Sequence, residues 1–241
     1  MKPLLEVFTV VWNEEKIIQD FIDWYRQRVP DCLITVYDNL STDRTVEICK
    51  DNNCNVISYN TNGWMDEQTL INIRNLCWKN SEAEYVCVVD ADEGVGLNRD
   101  MLQKNLEDKG EWNIAKCQGY EMFGTETDTI DQLLFGCWSA GYCKPVLFRP
   151  QFFDAVNLHA GSHSANPVPY PQFEVKWLMN APNLYHFKWR SWSNGIERAH
   201  LLAKRRSPDS ARKGWNIHYQ FEDSIHKDYY SNGMANRIKV R

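Results

Sequence analysis

The chain has 241 residues, of which 43% are hydrophobic and 24% are charged, and its formal net charge is −5 at pH 7. This composition is that of an ordinary globular protein and argues against disorder. The acidic balance argues against a general nucleic-acid binder, which normally carries a basic excess. No apolar run approaches the roughly 20 residues that a membrane span requires, so we expect a cytoplasmic protein without a transmembrane segment. A basic stretch at 204–213 leaves open a peripheral contact with an anionic surface.

The first ninety residues alternate strand-like and helix-like segments. The predicted strands are 4–11, 33–37, 56–59 and 85–89, and the predicted helices are 14–28, 42–50 and 66–79. Asn13 stands where it can cap the first of these helices. This order predicts an α/β fold with a doubly wound sheet, and such sheets bind ligands outside the carboxyl ends of their strands.

After residue 98 the pattern becomes less regular. We predict a helix at 99–106, a strand at 114–120 and a final helix at 196–206, followed by a polar tail. The chain has no internal repeat and no clear linker. We therefore expect a single domain over residues 1–241.

The acidic cluster Asp90-Ala91-Asp92, a DXD motif, directly follows the apolar strand predicted at 85–89. Two carboxylates one residue apart at a strand end can bind a hard divalent cation that also contacts substrate phosphates. Such a cation neutralises charge that develops on a diphosphate leaving group. The alternative is a solvated turn, since aspartates are common in surface loops.

Four segments in the first half of the chain share the order and spacing of a known family. They are Thr9-Val10-Val11-Trp12-Asn13-Glu14-Glu15, Tyr37-Asp38-Asn39-Leu40-Ser41-Thr42-Asp43-Arg44-Thr45, Ile73-Arg74-Asn75 and Val88-Val89-Asp90-Ala91-Asp92-Glu93. Together they resemble the nucleotide-binding half of family-2-type glycosyltransferases of GT-A fold. Segments of the second half, among them Gly161-Ser162-His163-Ser164-Ala165 and Leu184-Tyr185-His186-Phe187-Lys188, resemble one branch of the same superfamily.

The resemblance implies a GT-A fold, which is a Rossmann-like, doubly wound mixed sheet with helices on both faces. Residues 1–95 would form the nucleotide-binding half, and residues 96–241 an irregular acceptor-side half with a C-terminal helical tail. The implied donor is a nucleotide-diphosphate sugar, most simply a UDP-sugar, and the implied cofactor is Mn²⁺ or Mg²⁺. The acceptor would be a hydroxyl group of a glycan or glycoconjugate.

The resemblance also implies roles for individual residues around the donor. The residues expected to contact the nucleotide sugar are Val11, Asn13, Glu14, Asp38, Arg74, Asp90, Ala91 and Asp92. Within this set, Arg74 would face the base or the diphosphate, and Asp90 and Asp92 would hold the metal. Asp38-Asn39 departs from the acidic run that is usual for the family at this point.

Beyond the DXD motif, the resemblance points to histidines and lysines of the second half. His186 would complete the metal coordination, because a neutral imidazole can bind a manganese-like ion. The alternative is that His186 is a packed core residue. Lys188 would stabilise the departing diphosphate, and Lys144 is a second candidate for that role.

An inverting reaction requires a general base that deprotonates the acceptor hydroxyl. Glu121 is the first candidate for this base, and His163, Asp131 and Glu174 are alternatives. A retaining mechanism stays open, because both outcomes occur among enzymes with this motif. Two other functions also stay open: a non-catalytic carbohydrate- or nucleotide-binding protein, and a sugar nucleotidyltransferase.

Overall fold

A computed structural model of the chain describes residues 2–178 and 181–241. The α-helices are α1 (Ile18–Arg28), α2 (Thr45–Asp51), α3 (Glu67–Leu76), α4 (Arg99–Glu107), α5 (Trp192–Arg205), α6 (Pro208–Arg212) and α7 (Asp223–Asn236). The strands are β1 (Leu5–Val11), β2 (Leu33–Asp38), β3 (Asn55–Ser58), β4 (Tyr85–Val88), β5 (Glu93–Val95), β6 (Ile114–Ala115), β7 (Gln118–Met122), β8 (Phe135–Trp138), β9 (Leu147–Phe148), β10 (Phe153–Ala155), β11 (Val168–Pro169), β12 (Trp177–Leu178), β13 (Asn183–His186) and β14 (Ile238–Lys239). Single 3-10 turns lie at Ile130–Gln132, Ala140–Tyr142, Pro150–Phe152, Ala160–Ser162 and Ile217–Gln220.

The larger sheet has seven strands in the order β12-β6-β9-β4-β1-β2-β3. β1 pairs in parallel with β2 and β4, and β2 pairs in parallel with β3, whereas β9 runs antiparallel to β4 and β6. In this register Val11 faces Asp38, and Asp38 faces Ser58, so the carboxyl ends of three strands lie side by side. The predicted α/β fold with a mixed sheet is confirmed.

A second sheet has five strands in the order β14-β8-β7-β13-β5. Strand β13, which lies next to the edge strand β5, pairs in parallel with β7 and antiparallel with β5. The register places His186 of β13 between Glu93 of β5 and Glu121 of β7. Three ionisable residues from distant parts of the sequence are therefore neighbours on adjacent strands.

Helix α1 packs on the short strand β5 by a close contact at a glycine. The indole Nε1 of Trp24 donates a hydrogen bond to the carbonyl of Val95 at 2.9 Å. A Cβ atom at Gly94 would lie 2.6 Å from the ring of Trp24. Only glycine therefore lets the helix and the strand approach this closely.

Three local predictions from the sequence are wrong. Helix α1 begins at Ile18, and Asn13 does not cap it: with φ 53°, Asn13 accepts a hydrogen bond on Oδ1 from the amide of Thr42. The single strand predicted at 114–120 is two strands, β6 and β7, in different sheets. The predicted polar tail contains α6, α7 and β14, and Tyr230 of α7 packs in a small apolar cluster with other aromatic side chains.

Within the described residues, no helix has the length and apolar character needed to cross a bilayer.

Candidate functional site

A cavity of about 150 Å³ opens at the carboxyl ends of β1 to β4. Seven of the residues expected in the site line it: Val11, Glu14, Arg74, Asp90, Lys144, His163 and His186. Side chains that follow the strands also reach it, namely Trp12 after β1, Asn39 after β2 and Tyr59 after β3. The cavity therefore lies where parallel α/β sheets bind their ligands.

A second cavity, of about 280 Å³, adjoins the first and is lined by Asn13, Asp92 and Lys188 among others. Glu14 and Arg198 line both cavities. The two aspartates of the DXD motif thus face different cavities, and the pair formed by Glu14 and Arg198 separates them.

Asp90 is neutralised by two cations of the protein. Its Oδ1 lies 2.8 Å from Nη2 of Arg74, and its Oδ2 lies 3.6 Å from Nζ of Lys144. Burial alone would raise the pKa of Asp90, but Arg74 and Lys144 outweigh it and lower the pKa to about 2. Lys144 also contacts Glu93, at 2.5 Å, so this cation joins the motif to β5.

Arg74 is a buried residue rather than an exposed cation on a helix surface. Its Nη1 lies 3.0 Å from Oε1 of Glu67, about two turns earlier on the same face of α3, while its Nη2 binds Asp90. The guanidinium of Arg74 therefore links helix α3 to the carboxyl end of β4. Because a guanidinium presents donors in a fixed fork, it holds both carboxylates in place.

Asp92 is buried, unlike an aspartate of a solvated turn. Its Oδ2 lies 3.4 Å from Nε2 of His186 and 3.3 Å from Nε of Arg198. Arg198 also binds the carboxylate of Glu14 through Nη1. Burial would raise the pKa of Asp92, but Arg198 and His186 hold that pKa below its usual range.

His186 is enclosed on three sides. Its Nδ1 lies 2.7 Å from Oε1 of Glu121, and its ring stacks on Tyr142 with centroids 4.0 Å apart. Burial alone would lower the pKa of His186, but Glu121 and Asp92 outweigh it and raise the pKa to about 10. Without a metal ion the ring is therefore a cation between two carboxylates.

Glu121 and Lys188 are both buried beside this histidine. Glu121 also accepts a hydrogen bond from the hydroxyl of Tyr229 at 3.4 Å, so its carboxylate is engaged on both oxygens. Nζ of Lys188 lies 4.6 Å from the ring centroid of Tyr219. Burial lowers the pKa of Lys188 to about 8, because the nearby acids compensate only in part.

His163 stands at the rim of the first cavity on the turn after Ala160–Ser162. Its Nδ1 is in contact with the carbonyl oxygen of Gly141, which can only accept, so Nδ1 carries the hydrogen and Nε2 has a free lone pair. Partial burial, assisted by the charge of Lys144, lowers the pKa of His163. The ring is thus neutral near pH 7.

The remaining candidates lie apart from the two cavities. Asp38 is buried and accepts hydrogen bonds from the amide of Ser41, and Ala91 is packed in the core. Asp131 is exposed and lies 3.5 Å from Arg241, and Glu174 is exposed. Ala91 belongs to the DXD motif but has no polar side-chain group, and the side chains of the other three make no hydrogen bond or ion pair with Asp90 or Asp92 among the described residues.

Several cavity residues were missed from the sequence. They are Trp12, Tyr59, Arg198, Arg205, Asn216, His218 and Tyr219. Most come from α5 and the turn at Ile217–Gln220, far in sequence from the DXD motif. A usable signal was the seven-residue spacing of Arg198 and Arg205, which places both on one face of the helix predicted at 196–206.

Comparison with known proteins was made for the sequence and for the fold. Residues 6–107 match the sequence model of the family described as Glycosyl transferase family 2. No curated protein sequence matches the chain.

Among solved structures, the chain is similar to the crystal structure of S. aureus TarS 1–349. The identity is 17% and the TM-score 0.46, over 84% of this chain and 65% of that one, which is less than two thirds of its length. For the same TarS fragment in complex with UDP, the identity is 17% and the TM-score 0.46, over 92% and 73% of the two chains. The mannosyltransferase PcManGT from Pyrobaculum calidifontis in complex with GDP-Man and Mn²⁺ gives 17% and 0.36, over 48% and 36%.

The family match spans β1 to α4, and it contains all four segments on which the resemblance was based. The mixed α/β sheet with the DXD motif at the end of β4 agrees with that match. The similarity to glycosyltransferase family 2 therefore lies in residues 6–107, the part of the chain that holds β1 to α4 and the DXD motif.

Proposed function

We propose that the chain is a metal-dependent glycosyltransferase that moves a sugar from a UDP-sugar to a hydroxyl of a glycan or glycoconjugate. The observation that carries this proposal is the position of the DXD motif between two adjoining cavities. Asp90 lines the cavity at the ends of β1 to β4, and Asp92 lines the neighbouring one. The two cavities together would hold the donor and the acceptor around the motif.

Asp92 and His186 are the residues that would hold a divalent cation. Oδ2 of Asp92 and Nε2 of His186 are 3.4 Å apart, and Glu121 orients the ring from its other nitrogen, as carboxylates commonly do for metal-binding histidines. Among residues 2–178 and 181–241, no three His, Cys, Asp or Glu side chains form a group able to hold a metal ion. Two protein ligands suit a cation that takes its other ligands from phosphates and water, and a bound cation would neutralise charge on the departing diphosphate.

For the donor, we propose that Asp90 accepts a hydrogen bond from the ribose rather than coordinating the metal. Its carboxylate already faces Arg74 and Lys144, yet the side chain keeps 28% of its surface exposed in the cavity. Lys188, which lines the second cavity without an ion pair among the described residues, would support the leaving diphosphate. Lys144 forms ion pairs with Asp90 and Glu93, so its role would be to fix the position of the DXD motif.

For the acceptor, we propose His163 as the general base in place of Glu121. Glu121 is 2% exposed and both of its oxygens are engaged, so it would act as a positioning residue for His186. Nε2 of His163 would take the proton of the acceptor hydroxyl while that oxygen bonds to the anomeric carbon. The bond to the diphosphate breaks in the same step, the electron pair leaves with the diphosphate, and the configuration inverts.

The test is release of UDP from UDP-sugars with and without Mn²⁺, measured on the wild type and on Asp92→Asn. We expect slow metal-dependent release without acceptor, faster release with a glycan acceptor, and loss of both in the variant. A binding protein would take up the nucleotide and release nothing. A nucleotidyltransferase would instead make the activated sugar from a nucleoside triphosphate and a sugar phosphate.

A further inference from the structure

The C-terminal end of α5 places a buried cation at the wall of the first cavity. The guanidinium of Arg205 lies 3.6 Å above the ring of Trp12, and its Nε donates to the carbonyl of Gly63 at 3.0 Å. Nη2 is buried and has no hydrogen-bond partner in the described part of the chain. No carboxylate of the described residues lies within 4.0 Å of this guanidinium, although the side chain lines the cavity.

A buried donor without a partner, such as Nη2 here, is costly to a protein, because it loses its hydrogen bonds to water and gains none in return. Burial accordingly lowers the pKa of Arg205 to about 10, which still leaves the group charged at pH 7. The end of helix α5 is held in this position by Met65, whose amide donates to the carbonyl of Arg205 and whose carbonyl accepts from the amide of Ser207. The fold therefore holds one donor without a partner, Nη2 of Arg205, in a side chain that lines the cavity.

The position of Arg205 along the cavity identifies the part of the ligand that it would meet. Arg198, Leu202 and Arg205 all line the cavity from one face of α5. Arg198 contacts Asp92, and Arg205 lies two turns further on, about 10 Å along the helix axis. Arg205 thus lies at the end of the cavity remote from the DXD motif.

The strand order of the larger sheet also places Arg205 at the end of the cavity away from the DXD motif. Strands run in the order β4-β1-β2-β3, so the end of β3 is about 14 Å from the end of β4 at the usual spacing of neighbouring strands. Arg205 binds Gly63 in the segment after β3, whereas the DXD motif follows β4. A nucleoside diphosphate with its phosphates at the motif would place its base beside Arg205.

We propose that Arg205 selects the nucleobase of the donor by donating hydrogen bonds from its terminal nitrogens to a keto oxygen of the base. Uracil offers such an oxygen, whereas adenine presents an amino group and ring nitrogens. This inference rests on the proposed function, because it assumes a nucleotide in the first cavity. It adds a residue from outside the family-matched region 6–107 as the determinant of base specificity.

The experiment measures the affinities of UDP, ADP and inorganic pyrophosphate in the presence of Mn²⁺ by calorimetry, on the full chain. Arg205→Met keeps an extended side chain over Trp12 but removes every donor. We expect it to weaken UDP binding about tenfold or more, the loss expected for a hydrogen bond to a charged group, and to leave ADP and pyrophosphate unchanged. Arg212→Met, at an exposed arginine of α6, is the matched control and should change none of the three.

An equal loss of pyrophosphate affinity in Arg205→Met would overturn the inference and make Arg205 a phosphate contact. Unchanged UDP affinity would also overturn it. If Arg205→Met does not fold, Arg205→Lys keeps the charge without the fork, and it should lose the preference for UDP over ADP. Wild-type protein that binds no nucleotide at all would contradict the proposed function instead, so the two failures are distinguishable.

Discussion

Nε of Arg198 lies 3.3 Å from Oδ2 of Asp92, the same oxygen that faces His186. Arg198 is therefore placed where it competes with a divalent cation for this carboxylate. Because it also binds Glu14, it joins α5 to the end of β1 and separates the two cavities. Metal binding at Asp92 would require this contact to loosen.

Arg198→Ala should destabilise the metal-free protein and increase the stabilisation that Mn²⁺ provides. Loss of one partner of a buried ion pair typically costs about 3 to 5 kcal/mol, and we expect the lower end because the side chain of Arg198 is 23% exposed. Urea unfolding measures this loss. Lys16→Ala removes an exposed pair with Glu197 and should cost no more than about 1 kcal/mol. If Mn²⁺ raises the melting temperature of Arg198→Ala no more than that of the wild type, Arg198 and the metal do not share Asp92.

Asp92→Asn and Asp92→Ala should separate metal binding from folding. Asn keeps the shape of the side chain and one carbonyl oxygen, so we expect the variant to fold. Its Mn²⁺-dependent release of UDP should fall about 100-fold or more, which exceeds the usual loss when a residue that only hydrogen-bonds to a metal ligand is replaced. Ala additionally leaves Arg198 and His186 facing an empty space, and its melting temperature should fall as well. Asp90→Asn should instead weaken UDP binding. Full activity of Asp92→Asn with Mn²⁺ would exclude the metal role.

His226 should make the protein less stable in mild acid. It is 5% exposed on α7, its Nε2 has no partner in the described residues, and its ring centroid lies 5.8 Å from that of Trp189. Burial lowers the pKa of His226. As the pH falls below about 6.5, the unfolded chain therefore takes up a proton before the folded one does, and stability is lost. His226→Gln should weaken the dependence of the free energy of unfolding on pH between pH 7 and 5. Parallel plots of this free energy against pH for the variant and the wild type would contradict the prediction.

Asp66 should stabilise α3 as its N-cap. Its Oδ2 accepts from the amide of Thr69 at 3.0 Å, and its Oδ1 accepts from the hydroxyl of Ser207 at 3.0 Å. Asp66→Ala should lower the free energy of unfolding by about 1 kcal/mol, whereas Asp66→Asn, which still caps, should lower it less. Denaturant titrations of both variants provide the measurement. Equal losses would show that the charge, rather than the cap, is what stabilises the helix.

The sequence predicted the parts of the fold that depend on local pattern. Strands β1 to β4 and the three helices among them appear within a few residues of their predicted bounds, because burial imposes periods of 2 and 3.6 on the side chains. Asn13 was misjudged because its partners come from another loop, at Ser41 and Thr42. No local pattern reports a contact of that kind.

For the site, too, the sequence predicted what depends on local pattern and not the contacts made by packing. The position of Asp90 at a strand end follows from the apolar strand before it, and His186, to which the resemblance pointed, lies 3.4 Å from Asp92. Its ligation of a metal stays a prediction. The role of Arg198 could not be foreseen, since 106 residues of chain separate it from Asp92 and only the packing of α5 brings them together.

The register of β13 has a consequence for how the protein folds. His186 pairs across the backbone with Glu93 and with Glu121, residues that are 93 and 65 positions away along the chain. Closing such long loops carries an entropic cost before any contact forms, and sheets built from distant segments fold slowly. Strand β5, whose partner in the described residues is β13, stays unpaired until the second half of the chain arrives. The first half of the chain can therefore collapse before His186, Glu93 and Glu121 come together. The rate at which ligand binding appears during refolding would then report the last folding step rather than the first.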